Sequence, residues 1–161
     1  MLVIHDATSP EDIAAVRELF LEYANWLAVD LSFQNFEREL QTLPGDYVPQ
    51  RRGALFLAEL DGEIVGCLAL HSCFGESNHS TICEVKRAYV RPHARGQKVG
   101  RTLLLTAMQR AREMGYTHMR LDTMPSRMAE AVDLYRKMGF YEIEAYRPNP
   151  MEDATFMEAS L

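Results

Sequence analysis

Apolar residues in the first quarter of the chain recur at intervals of three and four, which is the spacing of one helix face. They are Ile13, Val16, Phe20, Tyr23 and Leu27. Ser9 suits the N-cap of this helix, and Pro10 suits its first turn. We predict a short strand over residues 2–5 before it, and a second helix over residues 33–43 that ends before Pro44.

The middle of the chain has the pattern of strands. Residues 54–60 and 63–70 are rich in β-forming side chains and flank an Asp-Gly pair, which is a strong signal for a β-hairpin. Residues 82–91 alternate between apolar and polar positions. They predict a third strand in this region, which Pro92 ends.

Helices and strands alternate in the last third of the chain. Apolar residues after Gly96 follow a helical pattern up to Met114, and Gly115 suits the position after that helix. The remaining predicted elements are a strand over residues 118–123, a helix over 127–138, and strands over 140–146 and 154–161. Because this alternation is confined to one half, a mixed sheet fits the pattern better than a wholly parallel one.

The composition is that of a globular protein. Hydrophobic residues make up 47% of the 161 residues and charged residues 25%, which excludes a disordered chain, and we predict a single domain over residues 1–161. The longest uncharged apolar run, Ile64–Leu70, is too short to cross a bilayer. Because the N-terminus lacks the basic start of a signal peptide, we expect a cytoplasmic protein with reduced cysteines and no membrane partner.

The charge is unevenly distributed along the chain. The net charge of −6 argues against a nucleic-acid partner. Between positions 86 and 101, however, the charged residues are all basic: Lys86, Arg87, Arg91, Arg95, Lys98 and Arg101. This basic segment indicates a small polyanionic ligand. A solvated basic face is the alternative that charge alone leaves open.

The basic segment also has the order strand, glycine-containing loop and helix. In that arrangement, backbone N–H groups and the positive end of the helix dipole point at one place, which suits a phosphate. Gly96 allows a ligand to approach closely, and Gly100 removes a side chain where the helix begins. The Walker and dinucleotide fingerprints are both absent, so the local signal indicates a phosphate without naming the molecule.

The same loop resembles the signature [QR]-x-x-G-x-[GA] of the GNAT superfamily of N-acetyltransferases. Residues 95–100 (RGQKVG) fill its six places; Arg95 and Gly100 match, and Lys98 replaces the usual glycine. The family pattern continues in residues 134–140 (LYRKMGF), a helix that ends in glycine before a strand. The resemblance covers nearly the whole chain. It implies an α/β fold with a mixed, mostly antiparallel sheet of about seven strands and about four flanking helices.

This resemblance implies acetyl-CoA as the co-substrate, without a metal. The pyrophosphate would rest on backbone N–H groups of Arg95, Gly96, Gln97, Lys98, Val99, Gly100 and Arg101. The pantetheine would run along the main chain of Tyr89 and Val90 like an added strand, and the basic segment would serve the anionic cofactor. The expected reaction is direct transfer of acetyl to a primary amine of a small molecule or peptide in a ternary complex.

The resemblance also implies two catalytic residues. Glu84 lies at the place of the general base in some members, and an ion pair with a neighbouring Lys or Arg is the alternative. Strict strand alternation puts Glu84 on the same face as Val90 and opposite to Cys83, which we interpret as a buried, inert thiol. Tyr135 lies where the family often places the acid that protonates the CoA thiolate; core packing is its alternative role.

In this family the first two helices and the loop between the last two strands enclose the acceptor. Tyr23, Trp26 and Tyr146 are therefore the candidates for substrate binding, with core packing as the alternative. Two other functions stay open: a non-catalytic acyl-CoA-binding module of the same fold, and an enzyme that acts on nucleotide phosphates. The family is often dimeric, so a homodimer is a candidate assembly.

Overall fold

A seven-stranded sheet lies at the centre of the computed structural model, which describes residues 1–28, 30–32, 35–74 and 80–161. The strands are β1 (Leu2–Asp6), β2 (Ala54–Leu60), β3 (Glu63–Ser72), β4 (Ile82–Val90), β5 (His118–Thr123), β6 (Tyr141–Ile143) and β7 (Thr155–Ser160). The α-helices of the described part are α1 (Pro10–Leu27), α2 (Phe36–Thr42), α3 (Val99–Glu113) and α4 (Ala129–Lys137). Within these residues, no helix combines the length and apolarity that crossing a bilayer requires.

The strand order across the sheet is β1-β2-β3-β4-β5-β7-β6, and each neighbouring pair is antiparallel except β4 and β5. This confirms the predicted mixed, mostly antiparallel sheet. Two predicted boundaries differ by three residues, and the others differ by two or fewer. Helix α2 begins at Phe36, and residues 33 and 34 lie outside the described part. The strand predicted over residues 140–146 is only three residues long, because Tyr146 and Arg147 leave the sheet edge to contact Glu84.

Helices cover both faces of the sheet. Helix α1 begins with a capping box, in which the Ser9 hydroxyl accepts a hydrogen bond from the Asp12 N–H and the Asp12 carboxylate accepts one from the Ser9 N–H. Consecutive β2 residues then alternate between two cores: Phe56 packs with the α3 side, and Leu57 packs with Phe20 on the α1 side. The central strands are therefore buried on both faces.

Strands β4 and β5 separate soon after they pair. Their parallel register runs only from Ile82 to Glu84 on β4. Further along, β4 carries a bulge at Arg87, whose φ is +56°, and the register against β3 shifts there. Beyond the bulge, Val90 packs against the α3-side core, whereas Glu84 faces His71 on the α1 side. The expectation that Glu84 and Val90 share a face is wrong, because the extra residue reverses the alternation.

Candidate active site

The separation of β4 and β5 leaves a small cleft, called here the β4–β5 cleft. Its lining is Tyr23, Val85, Lys86, Arg87, Ala88, Leu121, Asp122, Met128 and Tyr135. Because Val85 belongs to the core under α3 and Lys86 points to the other face, both sides of the sheet contribute to the lining. The cleft therefore offers a place where two substrates could meet through the sheet.

The loop between β4 and α3, which follows the cleft-lining strand β4 in the chain, has features that suit an anion. Helix α3 begins at Val99 without a side-chain cap, so the N–H groups of its first turn are available to an anion. Gly96, with a φ of +79°, is exposed, as are Lys98 and Arg101. The backbone and two exposed cations of this loop suit a pyrophosphate.

Lys98 adopts the backbone conformation that explains why glycine is usual at its position. Its φ is +65° and its ψ is 12°, in the left-handed region where a side chain costs free energy. The turn into α3 therefore keeps its shape despite the substitution, with some backbone strain at this one residue.

The Arg95 side chain is turned away from the anion site. Its Nε donates to the Val90 carbonyl at 3.0 Å, and its guanidinium carbon lies 4.5 Å from the centre of the Trp26 ring. The Tyr89 ring is also near, at 5.9 Å from the same carbon. Arg95 thus connects the loop to α1 and β4, and its backbone N–H donates to the Pro92 carbonyl at 3.2 Å, so the predicted role of this N–H in holding a phosphate is not supported.

The basic segment does not form one patch, so the expectation that all of it serves the cofactor is wrong. Arg87 Nε binds Glu39 Oε2 at 2.8 Å on the α2 side. Arg91 binds Glu22 of α1, with 2.7 Å between Nη2 and Oε1. Both guanidinium groups are thus neutralised by carboxylates of α1 and α2, away from the exposed cations of the β4–α3 loop.

Glu84 is fully buried outside the β4–β5 cleft. Its Oε1 accepts a hydrogen bond from His71 Nε2 at 2.9 Å, and its Oε2 forms a close ion pair with Arg147 and accepts a hydrogen bond from the Tyr146 hydroxyl. The ion pair that sequence left as an alternative is therefore present. Its main partner comes from the β6–β7 loop rather than from a neighbouring strand position.

His71 reinforces this arrangement as a neutral donor. Burial lowers its pKa to about 4, and the nearby Lys86 and Arg147 act in the same direction. Near neutral pH, the imidazole can therefore donate one hydrogen bond to Glu84 without adding a charge.

A second carboxylate, which the sequence analysis missed, lies in the cleft itself. Asp122 is half-buried on β5, and its Oδ2 accepts a hydrogen bond from Asn149 Nδ2 at 3.1 Å. The alternation of β5 was the available signal, because Met119 and Leu121 are apolar and enter the core while Asp122 must face the other way. The sequence of β5 alone does not predict which residues of other elements lie near Asp122.

Tyr135 is both a core residue and part of the cleft. It is buried against Phe140, with ring centres 5.7 Å apart, and it lines the cleft near Tyr23. Burial raises the pKa of Tyr135 well above that of a free phenol and raises the pKa of Tyr23 to about 12. Both hydroxyls are therefore protonated at neutral pH and available as donors.

The three predicted acceptor residues lie in different places. Tyr23 lines the β4–β5 cleft, and Tyr146 contacts Glu84. Trp26 lies instead against Arg95, outside the lining of the cleft. Cys83 is buried in the core on the α3 side, and burial raises its pKa to about 12, as expected for an inert thiol.

Comparisons with known proteins identify the family of the chain. A model of the acetyltransferase (GNAT) family matches residues 13–140. An uncharacterized N-acetyltransferase of Schizosaccharomyces pombe is 34% identical, over 94% of this chain and 90% of its own length. One of Escherichia coli is 32% identical, over 84% of this chain and 78% of its own length.

Solved structures share the fold. An acetyltransferase of the GNAT family from Staphylococcus aureus superposes with a TM-score of 0.78 at 20% identity, covering 99% of each chain. A structure from Salmonella typhimurium with its cofactor acetyl-CoA superposes with a TM-score of 0.73 at 20% identity, covering 99% of this chain and 93% of that one.

Proposed function

Since this chain belongs to the GNAT family of acetyltransferases, we propose that it passes the acetyl group of acetyl-CoA directly to a primary amine in a ternary complex. Acetyl-CoA-dependent N-acetyl transfer in general follows from the family; the direct route and the kind of amine are the proposal. The observation that carries it is the β4–β5 cleft, which residues from both faces of the sheet line on the strand that leads into the β4–α3 loop. The family match removes the support for an enzyme acting on nucleotide phosphates.

The β4–α3 loop and the edge of β4 fit the two parts of CoA. The uncapped N-terminus of α3, with exposed Lys98 and Arg101 beside it, suits the anionic pyrophosphate. Past Glu84 the edge of β4 is not paired with β5, so the main chain at Tyr89 and Val90 can pair with the amides of the pantetheine. The Val90 N–H is our candidate to polarise the thioester oxygen.

Two carboxylates are candidates for the group that takes a proton from the amine. Glu84 is the base that the sequence predicts, but in this arrangement it is buried and already bound by Arg147, Tyr146 and His71. Asp122 lines the cleft with one hydrogen bond, from Asn149. Geometry comes before pKa in such a choice, and it favours Asp122 as the base, directly or through a water. Glu84 then holds the β6–β7 loop in position.

Tyr135 is the proposed acid. The acetyl thioester supplies an activated carbonyl carbon, and transfer forms its bond to the amine nitrogen and breaks its bond to sulfur. The departing thiolate needs a proton, and the buried hydroxyl of Tyr135, protonated at neutral pH, lines the cleft from α4. Asp122 and Tyr135 thus approach the cleft from β5 and α4.

The experiment that tests the proposal follows thiol release from acetyl-CoA while a panel of amines is added. We expect amine-dependent release that saturates in both substrates and gives intersecting initial-rate patterns, as a ternary complex requires. Parallel patterns with an acetylated enzyme would contradict direct transfer. Acetyl-CoA binding with only background hydrolysis would instead favour the non-catalytic acyl-CoA-binding module of the same fold.

A further inference from the structure

Arg87 has a buried guanidinium group that the protein satisfies only in part. Its side chain is 2% exposed and lines the β4–β5 cleft. Nε donates to Glu39 Oε2 at 2.8 Å, and the guanidinium lies 4.9 Å from the centre of the Phe36 ring. Nη2, however, has no hydrogen-bond partner among the residues that the structure describes. A buried donor of this kind usually has an acceptor, supplied by water or by a ligand.

Buried charges of both signs surround Arg87 on this face of the sheet. Lys86 and Arg147 lie around Glu84, with Lys86 Nζ 4.0 Å from Glu84 Oε1. Together with Arg87, Glu39 and the Asp122 of the cleft, this makes three cations and three carboxylates. Lys86 is 8% exposed, and desolvation lowers its pKa, an effect that a bound anion would oppose.

The cleft therefore has a cationic side on β4 and an anionic side on β5. Lys86 and Arg87 line it from one strand, and Asp122 lines it from the other. Because the strands are neighbours in the sheet, opposite charges face one small volume. This pattern suits a zwitterion, with an ammonium group near Asp122 and an oxyanion near the two cations.

We propose that the acceptor is a small amine that also carries an acid group, a carboxylate or a phosphonate, held by Arg87 and Lys86. This inference rests on the proposed function, because it identifies the substrate class of the same site. The planar guanidinium group of Arg87 suits either oxyanion. Its Nη2, which has no hydrogen-bond partner among the described residues, supplies the donor that would bind the oxyanion. Glu39 positions that guanidinium group by holding Nε.

The test compares matched acceptors that differ only in the acid group. Glycine, β-alanine and γ-aminobutyrate are each paired with their amides, and 2-aminoethylphosphonate replaces the carboxylate of β-alanine. Thiol release gives kcat/KM for each amine. In parallel, calorimetry on the CoA-saturated full chain measures binding of the N-acetylated acids and amides, which removes differences in amine basicity.

We expect at least one acid to exceed its amide by about 10- to 100-fold in kcat/KM, the range for hydrogen bonds to a charged group. The comparison of 2-aminoethylphosphonate with β-alanine then shows whether the site prefers a tetrahedral or a planar oxyanion. Equal values for every acid and its amide would overturn the proposal.

Variants locate the effect. Arg87→Lys keeps the charge and removes the guanidinium fork, and Lys86→Gln removes the second cation. Both should lower kcat/KM for the acids by a larger factor than for the matching amides, and so reduce the preference for acids. Arg110→Lys is the matched control, since Arg110 makes a similar fork to Asp6 outside the cleft and should leave the preference intact. Melting temperatures and acetyl-CoA affinity verify folding; if Arg87→Lys does not fold, Lys86→Gln carries the comparison. Equal losses for acids and amides in these variants would contradict the proposal.

Failure of the proposed function gives a different result. If acetyl-CoA binds and no amine is acetylated, direct transfer is contradicted. The calorimetric preference for N-acetylated acids over amides then still decides whether the anion site exists.

Discussion

At the residue scale, the position of a carboxylate relative to the cleft separates the two candidate bases. Glu84 is enclosed by Arg147, Tyr146 and His71, whereas Asp122 lines the cleft. Asp122→Asn should lower kcat by about 100-fold or more, the usual range for removing a general base, with little change in acetyl-CoA affinity. Steady-state kinetics and calorimetry measure both quantities.

Glu84→Gln is the matched variant for that comparison. Removing its charge leaves Arg147 without its carboxylate, so we expect a loss of about 2 kcal/mol in the free energy of unfolding and a smaller loss of kcat. Denaturant titration measures the first. If Glu84→Gln abolishes turnover while Asp122→Asn stays near wild type, Glu84 is the base.

Tyr135 gives the second test at this scale. Tyr135→Phe removes the proposed proton donor and keeps the ring that packs against Phe140, so kcat should fall by about 10- to 100-fold with acetyl-CoA affinity unchanged. A leaving thiol of lower pKa depends less on a proton donor. A thioester with such a leaving group should therefore restore part of the lost kcat. Wild-type kinetics in this variant would limit Tyr135 to core packing.

Sequence predicted some residues of the site and not others, for a physical reason. Tyr135 and the loop from Arg95 to Arg101 lie in local motifs whose spacing is visible in the chain. The contact of Arg147 with Glu84 joins residues 63 positions apart, which no local pattern encodes. Asp122 was missed for a similar reason, because its importance depends on the separation of β4 from β5.

At the element scale, the β4–α3 loop keeps its turn with a lysine in the left-handed region. Lys98→Gly and Lys98→Ala both lose the charge, but only glycine relieves the strain of about 1 kcal/mol. For a chain of this size, the glycine variant should melt about 2–4 °C above the alanine variant. Differential scanning calorimetry measures the difference, and calorimetric titration should show equal losses of acetyl-CoA affinity.

Lys98→Arg is the control for charge in that series. It should bind acetyl-CoA like the wild type, because it keeps the cation in the same turn. Equal melting temperatures for the glycine and alanine variants would show that the turn is not strained at this position.

The bulge in β4 shows where element-scale prediction failed. The strand itself was predicted correctly, since apolar and polar residues alternate along it. One extra residue at Arg87 then turns the later side chains of the strand, including that of Val90, to the opposite face of the sheet. No glycine marks the bulge, so periodicity alone could not reveal it.

At the scale of the whole molecule, His71 couples stability to pH. Its folded-state pKa of about 4 lies below the value of 6.5 for an unperturbed histidine, so the unfolded chain binds more protons between those pH values. Stability should therefore fall as pH drops from 6.5 to 4, by up to about 3 kcal/mol from this residue.

His71→Gln isolates that contribution, because glutamine keeps an N–H donor for Glu84 and does not titrate. Denaturant titrations across the pH range should show the wild type losing more stability than the variant toward pH 4. Parallel curves for the two proteins would contradict the depressed pKa.

The overall fold was more predictable than the site. The order of elements and the mixed sheet followed from hydrophobic periodicity, from turn residues such as Gly115 and Gly139, and from the family resemblance. The cleft was not predictable in this way, because it lies where β4 and β5 stop pairing, and that separation depends on tertiary structure. The homodimer and the cytoplasmic location stay predictions.

The measurement that tests direct acetyl transfer most directly is thiol release from acetyl-CoA with an amine panel, with the N-acetylated product identified by mass spectrometry. We predict release that depends on the amine, saturates in both substrates, yields one acetylated amine per thiol and collapses in Asp122→Asn. Acetyl-CoA binding by calorimetry, with release no faster than background hydrolysis for every amine, would contradict it.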